Sequence, residues 1–206
     1  KNAGKLDRCF VISPTIKSNQ ALLDSLGIDP NDCFEPNKNA IKHVTDLINH
    51  ERDEFEDYLD KKEAYDEYMQ NINSDIPFHH IDPHVILQST DCFGNPVEPT
   101  PKYQNDQGGR PMLALFMDDC QSTPSFRDRK FSRLVLTHRH VGQMKYKKNN
   151  SQRKGALGVS IFIACQNFKA SGGGLPREIR NNCTQLALVG KSKDEDEKKS
   201  IYKSVS

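Results

Sequence analysis

Short runs of consecutive apolar residues recur along the chain, each the mark of a strand buried on both faces. The first is CFVIS at 9–13, rich in β-branched residues and closed by Pro14. The next, MLALFMDDC at 112–120, carries five or six apolar residues without a break into Asp118 and Asp119. LGVSIFIACQ at 157–166 predicts another, ending on polar Gln166, and TQLALVG at 184–190 the last. Between these runs the spacing turns helical. SNQALLDSLG at 18–27 has Ser18 or Asn19 to cap its start and Gly27 to stop it. From about Lys38 to Gln70, the residues Phe55, Leu59, Lys62, Tyr65 and Met69 return at helical spacing. FSRLVLTHRH at 131–140 predicts a helix running into a loop. LPREIRNN at 175–182 predicts a short helix with Pro176 near its start, and KDEDEKKSIYKSV a final amphipathic one.

Strands alternating with helices imply an α/β fold, a mostly parallel sheet covered by helices on both faces. The 206 residues fit one domain. Residues 38–110 read as an insertion within it: a charged helix, then a loop punctuated by Pro77, Pro83, Pro96, Pro99, Pro101 and the glycines at 108–109. The acids of that helix read as a solvated face on a scaffold, with a partner-binding element as the alternative.

Parallel sheets gather ligands at the carboxyl ends of their strands, where Asp118, Asp119 and Gln166 all stand. Adjacent carboxylates repel each other and resist burial. Either Asp118 and Asp119 form a solvated turn, or the strand end offers one carboxylate to a hard cation and the other to a water.

Composition narrows the surroundings. Hydrophobic residues make up 35% of the chain, and the mean hydropathy is −0.75. No apolar run approaches the roughly 20 residues of a membrane span. The opening KNAGKLDRCF has no initiator Met and no signal-peptide pattern. Six scattered cysteines without a C-x-x-C pair suit a reducing compartment. Net charge is only +1, yet residues 51–67 hold nine acids against three bases, and residues 145–154 hold five bases and no acid. That second run, with Lys145, Lys147, Lys148, Arg153 and Lys154, is either a solvated loop or a patch for nucleic-acid phosphates. Tyr146 is its one aromatic residue, so any binding there is electrostatic and indifferent to base sequence. HHIDPH at 79–84 offers His79, His80 and His84, but Pro83 disfavours the helix that a zinc-chelating pair needs, and no cysteine completes a set.

Taken in order, CFVISPT, LALFMDDC, LTHRH, IFIACQNF and LPREIRNNCTQLAL resemble a P-loop ATPase of the FtsK–HerA superfamily. Within it the chain is similar to the poxvirus-type genome-packaging ATPases of large DNA viruses and virophages. The resemblance implies a RecA/FtsK-like core outside residues 38–110. It also implies ATP and Mg²⁺ as cofactors, and double-stranded DNA and a homo-oligomeric ring as partners, with a capsid or portal protein possible besides. The setting it implies is the host cytoplasm or a viral factory.

On that resemblance Asp118 holds the water shell of Mg²⁺ and Asp119, where many relatives carry Glu, polarises the attacking water. Gln166 senses the γ-phosphate. Arg139 and His140 lie near a subunit interface. Arg180, with Arg177 as the alternative, reaches the ATP of a neighbouring subunit, an effect worth roughly 10³–10⁵ in rate.

One part is missing. The motor needs G-x-x-x-x-G-K-[ST], whose backbone amides cradle phosphate. The chain has only NAGKL at 2–6, where the first glycine of the motif would fall five residues before Gly4, ahead of Lys1, and Leu6 stands where Ser or Thr is required. The expectation is a domain truncated at its N-terminus, the loop lying before Lys1, that holds Mg-ATP poorly by itself. Two functions follow: an ATP-driven DNA translocase that packages a viral genome, or a non-hydrolysing structural or DNA-binding relic of one. A two-metal nuclease is a weaker third, because such enzymes gather acids from several separated segments.

Overall fold

A computed structural model describes residues 6–145, 155–166, 168, 174–187, 199 and 201. Its centre is a four-stranded, all-parallel sheet. In chain order the strands are β1 (Arg8–Ile12), β2 (Cys33–Phe34), β3 (Leu113–Asp118) and β4 (Ser160–Ala164), and in space they lie β2-β1-β3-β4. The helices are α1 (Gln20–Ser25), α2 (Ala40–Asn73), α3 (Pro83–Ser89), α4 (Pro124–Arg127), α5 (Arg129–Thr137) and α6 (Arg177–Asn182). The α/β class and the parallel sheet thus match the pattern of apolar runs.

The period of two along each strand divides the sheet into two different faces. Phe10 and Ile12 of β1 and Leu113, Leu115 and Met117 of β3 point into one core. Ala40, Ile41, Val44 and Ile48 of α2, Phe126 of α4, Phe131 and Leu134 of α5 and Ile179 of α6 complete it. The other face carries the row Val11, Phe116 and Phe162, paired in register across β1, β3 and β4. Exposure along that row climbs from 4% to 37% to 48%. Two-sided covering, expected of a parallel sheet, is therefore incomplete among the described residues. β4 is a half-exposed edge strand instead of the long buried one predicted. At the far end of the chain, residues 184–187 are exposed and form no strand, while 188–190 lie outside the described residues. Of the predicted last helix only Lys199 and Ile201 are described; both are helical, and Ile201 is buried in the main core.

Gly27 ends α1 as its sequence promises. Its φ is +69°, a left-handed conformation that glycine adopts at little cost, and the amide of Ile28 closes onto the carbonyl of Leu23. The helix expected near 38–70 is the 34-residue α2, and it serves two purposes. Its first turns lie on the sheet, so they belong to the main core. Its distal turns leave the sheet and pack Tyr68 against Ile81 and Val85 of the α3 region. The predicted stripe from Phe55 to Met69 is half buried, and the deepest positions, Ala64 and Tyr68, flank it.

The loop predicted for 73–110 contains α3. Pro83 does not spoil this helix; it opens it, at the first position, where a missing N–H costs nothing. Asp82 caps it by accepting the amide of His84 at 2.8 Å. Asp82→Ala should lower stability by about 1 kcal/mol, with a urea midpoint shift as the measurement. Among the described residues no helix is long and apolar enough to cross a membrane.

Candidate functional site

Three strand ends meet at one edge of the sheet. β1 ends before Ser13, β3 ends at Asp118, and β4 ends at Ala164, the register partner of Asp118. Ser13 is buried, and its hydroxyl donates to Asp118 Oδ2 at 3.3 Å. Ser13 Oγ itself accepts the amide of Thr15 at 3.2 Å and lies 3.0 Å from the Thr15 hydroxyl. Asn19 Nδ2 donates to that hydroxyl in turn. A chain of hydroxyls thus orients one carboxylate oxygen of half-buried Asp118.

Asp119 follows in a conformation rare for any residue but glycine, with φ of +48°. Aspartate tolerates this region better than most residues, and the amide of Asp119 is held by the carbonyl of Ala164 at 3.2 Å. The turn presents Asp119 exposed while Cys120 beside it is buried. The Cys120 thiol donates to the carbonyls of Ile12 and Asp118, tying β1 to the end of β3. Burial first, and the Asp118 charge second, push that thiol up to about 12, so it stays protonated as a structural hydrogen-bond donor. Non-glycine residues held at positive φ concentrate at functional sites, where surrounding bonds enforce the strain.

The remaining sequence-derived residues are distributed unevenly. Gln166 stands at the same carboxyl edge, exposed and two residues beyond the end of β4. Arg180 of α6 is turned onto its own surroundings: Nη1 donates to the carbonyl of Leu175 at 2.9 Å, and the guanidinium lies 5.8 Å from the centre of the Phe168 ring. Arg177, at the first turn of α6, is exposed. Of the two, Arg177 is therefore the more exposed.

Arg139 lies elsewhere. The amide of Val159, which precedes β4, donates to the carbonyl of His138 at 3.0 Å, and this fixes the turn at 138–140 beside the amino end of that strand. A five-residue strand separates that edge from Asp118, roughly 16 Å at 3.3 Å per residue. Arg139 and His140 are thus not gathered with the acids within this chain.

At the Arg139 edge, residues 141–144 and 155–158, which flank the basic run in sequence, pair antiparallel. Lys145 is engaged: its ammonium lies 2.6 Å from Asp53 of α2 and its amide donates to Glu56. Lys147, Lys148, Arg153 and Lys154 lie outside the described residues. His79, His80 and His84 are exposed, and no group of three potential metal ligands occurs among the described residues.

Sequence reasoning missed a second constellation, at the amino edge of the sheet. Arg8 at the start of β1 grips Asp32 with two hydrogen bonds, of 2.8 and 2.6 Å, and reaches Glu51 of α2 at 2.5 Å. Lys102 joins Glu51 at 2.7 Å and Glu54 at 2.6 Å. Glu51 is fully buried, so two of the nine acids of 51–67, Glu51 and Glu56, belong to the interior and not to a solvated face. Burial by itself would raise the Glu51 pKa; hydrogen bonds from Lys102 and Arg8 outweigh it and hold the carboxylate below its usual range. Burial pushes the neighbouring Tyr103 hydroxyl up to about 12, with the Glu51 charge adding to the effect. The signal for this cluster was faint: an arginine at the mouth of an apolar strand, and a glutamate continuing the Ile41, Val44, Ile48 spacing into the helix.

The Asp118 edge suits a hard cation better than it suits a nucleotide. One oriented carboxylate, a second beside it and nearby hydroxyls are oxygen ligands of the kind that hold hydrated Mg²⁺. The segment after β1, SPTIKSN, contains no glycine to form a phosphate-cradling loop. No protein-family model, curated protein or solved structure matches this chain.

Proposed function

We infer that this chain supplies the acidic half of an ATP-hydrolysing site and acts within a double-stranded DNA translocase of the viral genome-packaging kind. The observation that supports this most is the pairing of Asp118 with Ser13 at adjacent strand ends, followed at once by Asp119 in a strained, exposed turn. A solvated turn has no need of a buried hydroxyl aimed at its first acid.

In this reading Asp118, oriented by Ser13, holds the water shell of Mg²⁺. The bound ion would neutralise charge on the phosphate oxygens of ATP. Asp119 accepts a proton from the attacking water, and Gln166 stands at the same edge to meet the terminal phosphate. Arg177 of a neighbouring subunit supplies the positive charge that the resemblance assigns to α6, with Arg180 packed behind it. The backbone amides that cradle phosphate come from another segment or subunit, because G-x-x-x-x-G-K-[ST] is absent from these 206 residues. That absence favours one alternative, a non-hydrolysing DNA-binding or structural relative.

The test uses Mn²⁺ as a paramagnetic stand-in for Mg²⁺. The expected result is that the wild-type chain lowers the free Mn²⁺ signal at millimolar concentration and that Asp118→Asn weakens this binding about tenfold or more. If neither the wild type nor the variant retains Mn²⁺, the alternative becomes the better reading.

A further inference from the structure

The end of α2 and the segment after it hold two properties together. Residues 63–98 contain seven carboxylates and no lysine or arginine. Within the same stretch six large apolar side chains stand in solvent, led by Phe93 at 86% and Leu87 at 80% exposure. A stretch so acidic is not expected to leave its largest apolar residues uncovered, since such exposure marks a contact surface.

The exposure is built into the fold. Val85 and Ser89, four residues apart, face inward from α3, which leaves Leu87 on the opposite side. Phe93 sits on a turn bonded throughout by Asp91. The Asp91 carboxylate accepts the amides of Phe93 and Asn95 and the side chain of Asn95, and the Asp91 amide donates to the carbonyl of Asn95. The chain then returns with the Val97 amide on the carbonyl of Ser89, and Lys62 pins Glu98 at 2.8 Å. An aromatic residue held outward on a rigid turn loses little entropy on binding.

The complement lies on α5. Its inner face, Phe131, Leu134 and Val135, is spent in the core. Its outer face presents Arg129, Lys130 and Arg133, none with an ion pair among the described residues, and then Leu136 at 53% exposure. The acidic tip does not reach this face within one molecule. From Ile48, which shares the core with α5, the helix runs on 21 residues to Met69 and carries the tip about 30 Å away.

We propose that the acidic, apolar tip formed by α3 and the 90–97 turn docks on the basic outer face of α5 in a second copy of this chain. Phe93 and Leu87 seat beside Leu136, and the carboxylates face Arg129, Lys130 and Arg133. The two surfaces differ, so the contact is head-to-tail, and each copy keeps one free tip and one free α5 face until the assembly closes. Like charge excludes nucleic acid and anionic membrane from the tip. The contact stands independently of any ATPase chemistry.

Sedimentation velocity of the full chain tests it, through two double variants whose changes fall on exposed positions and so spare the fold. Wild type is expected to self-associate, increasingly as salt is lowered. Leu87→Asp with Phe93→Asp, and Lys130→Glu with Arg133→Glu, should each weaken association by roughly thirty-fold or more and sediment as monomers. Mixed in equal amounts, the two variants should form a dimer and nothing larger, because one intact tip then meets one intact α5 face. A monomeric wild type, variants that associate like wild type, or a mixture that stays monomeric would each overturn the proposal.

Discussion

In the proposed ATPase reading, Asp119→Asn should lower ATP turnover by about 10²–10⁴-fold while leaving DNA retention unchanged. The substitution removes the capacity to accept a proton and little else. Asparagine has nearly the same shape, and it is among the residues that best tolerate the left-handed conformation Asp119 adopts at φ of +48°. The amide bond to the carbonyl of Ala164 is a backbone bond and survives the change. A folded, DNA-retaining, inactive variant therefore assigns the loss to chemistry. A β-branched residue at 119 would confuse the result by straining the turn. The measurement is phosphate release at saturating ATP, beside filter retention of labelled duplex DNA. Unchanged turnover in Asp119→Asn would remove the ATPase reading of this strand end.

Arg8→Met should cost about 3–5 kcal/mol of stability, the largest loss expected from any single surface-accessible residue here. Arg8 is one-fifth exposed, but its partners are not: Asp32 and Glu51 are buried, and Glu51 is inaccessible to water. Methionine keeps the length of the side chain and leaves two carboxylates in the interior, with half-exposed Lys102 and the Tyr103 hydroxyl still reaching Glu51. A buried charge that loses its partner costs more than the pair contributed.

The pH dependence provides a second reading of the same network. In the wild type the folded state holds the Glu51 pKa below its unfolded value of about 4.3. The stability Glu51 contributes is thus fully present above that pH and is lost as pH falls through the lower, folded value. In Arg8→Met one of the side-chain hydrogen bonds that depress the pKa is gone, and burial counts for more. The gap between wild type and variant should therefore be widest near neutrality and shrink below about pH 4, where a protonated Glu51 no longer needs Arg8. Urea midpoints measured from pH 3 to 7 would show it. A gap independent of pH would mean that Arg8 acts by packing alone.

The apolar runs at 9–13 and 112–120 determined a good deal without any structure. A continuous β-branched or aliphatic run ended by a polar residue has one good solution, a central strand of a parallel sheet, and β1 and β3 lie side by side in that role. The ends of those strands were legible for the same reason, since polarity begins where burial stops. Asp118 and Asp119 were thus placed by the pattern itself. Gly27 and Pro176 marked element ends through their own backbone constraints.

Tertiary structure decided what local pattern does not encode. The run at 157–166 is as apolar as its neighbours, yet β4 is an edge, because exposure depends on whether another element is present and not on the strand's own residues. Pro83 breaks a helix in its interior and starts one at its first position, and only the neighbouring Asp82 cap settled which applied. Arg139 and Arg180 both read as site residues, but distance along the chain says nothing of which end of a sheet a turn reaches. Arg139 stands beside the amino end of β4, and Arg180 is folded onto Phe168. Glu51 looked like one acid among nine on a wet helix. Its burial follows from Arg8, 43 residues away, and Lys102, 51 residues away, and such long-range compensation of charge appears only when the chain is folded. The sequence by itself thus determined the two central strands β1 and β3, the polarity at their ends and the paired acids. The tertiary structure alone decided which charges are paired, which edge each residue occupies and which apolar side chains remain uncovered, because these depend on neighbours that the chain brings together from afar.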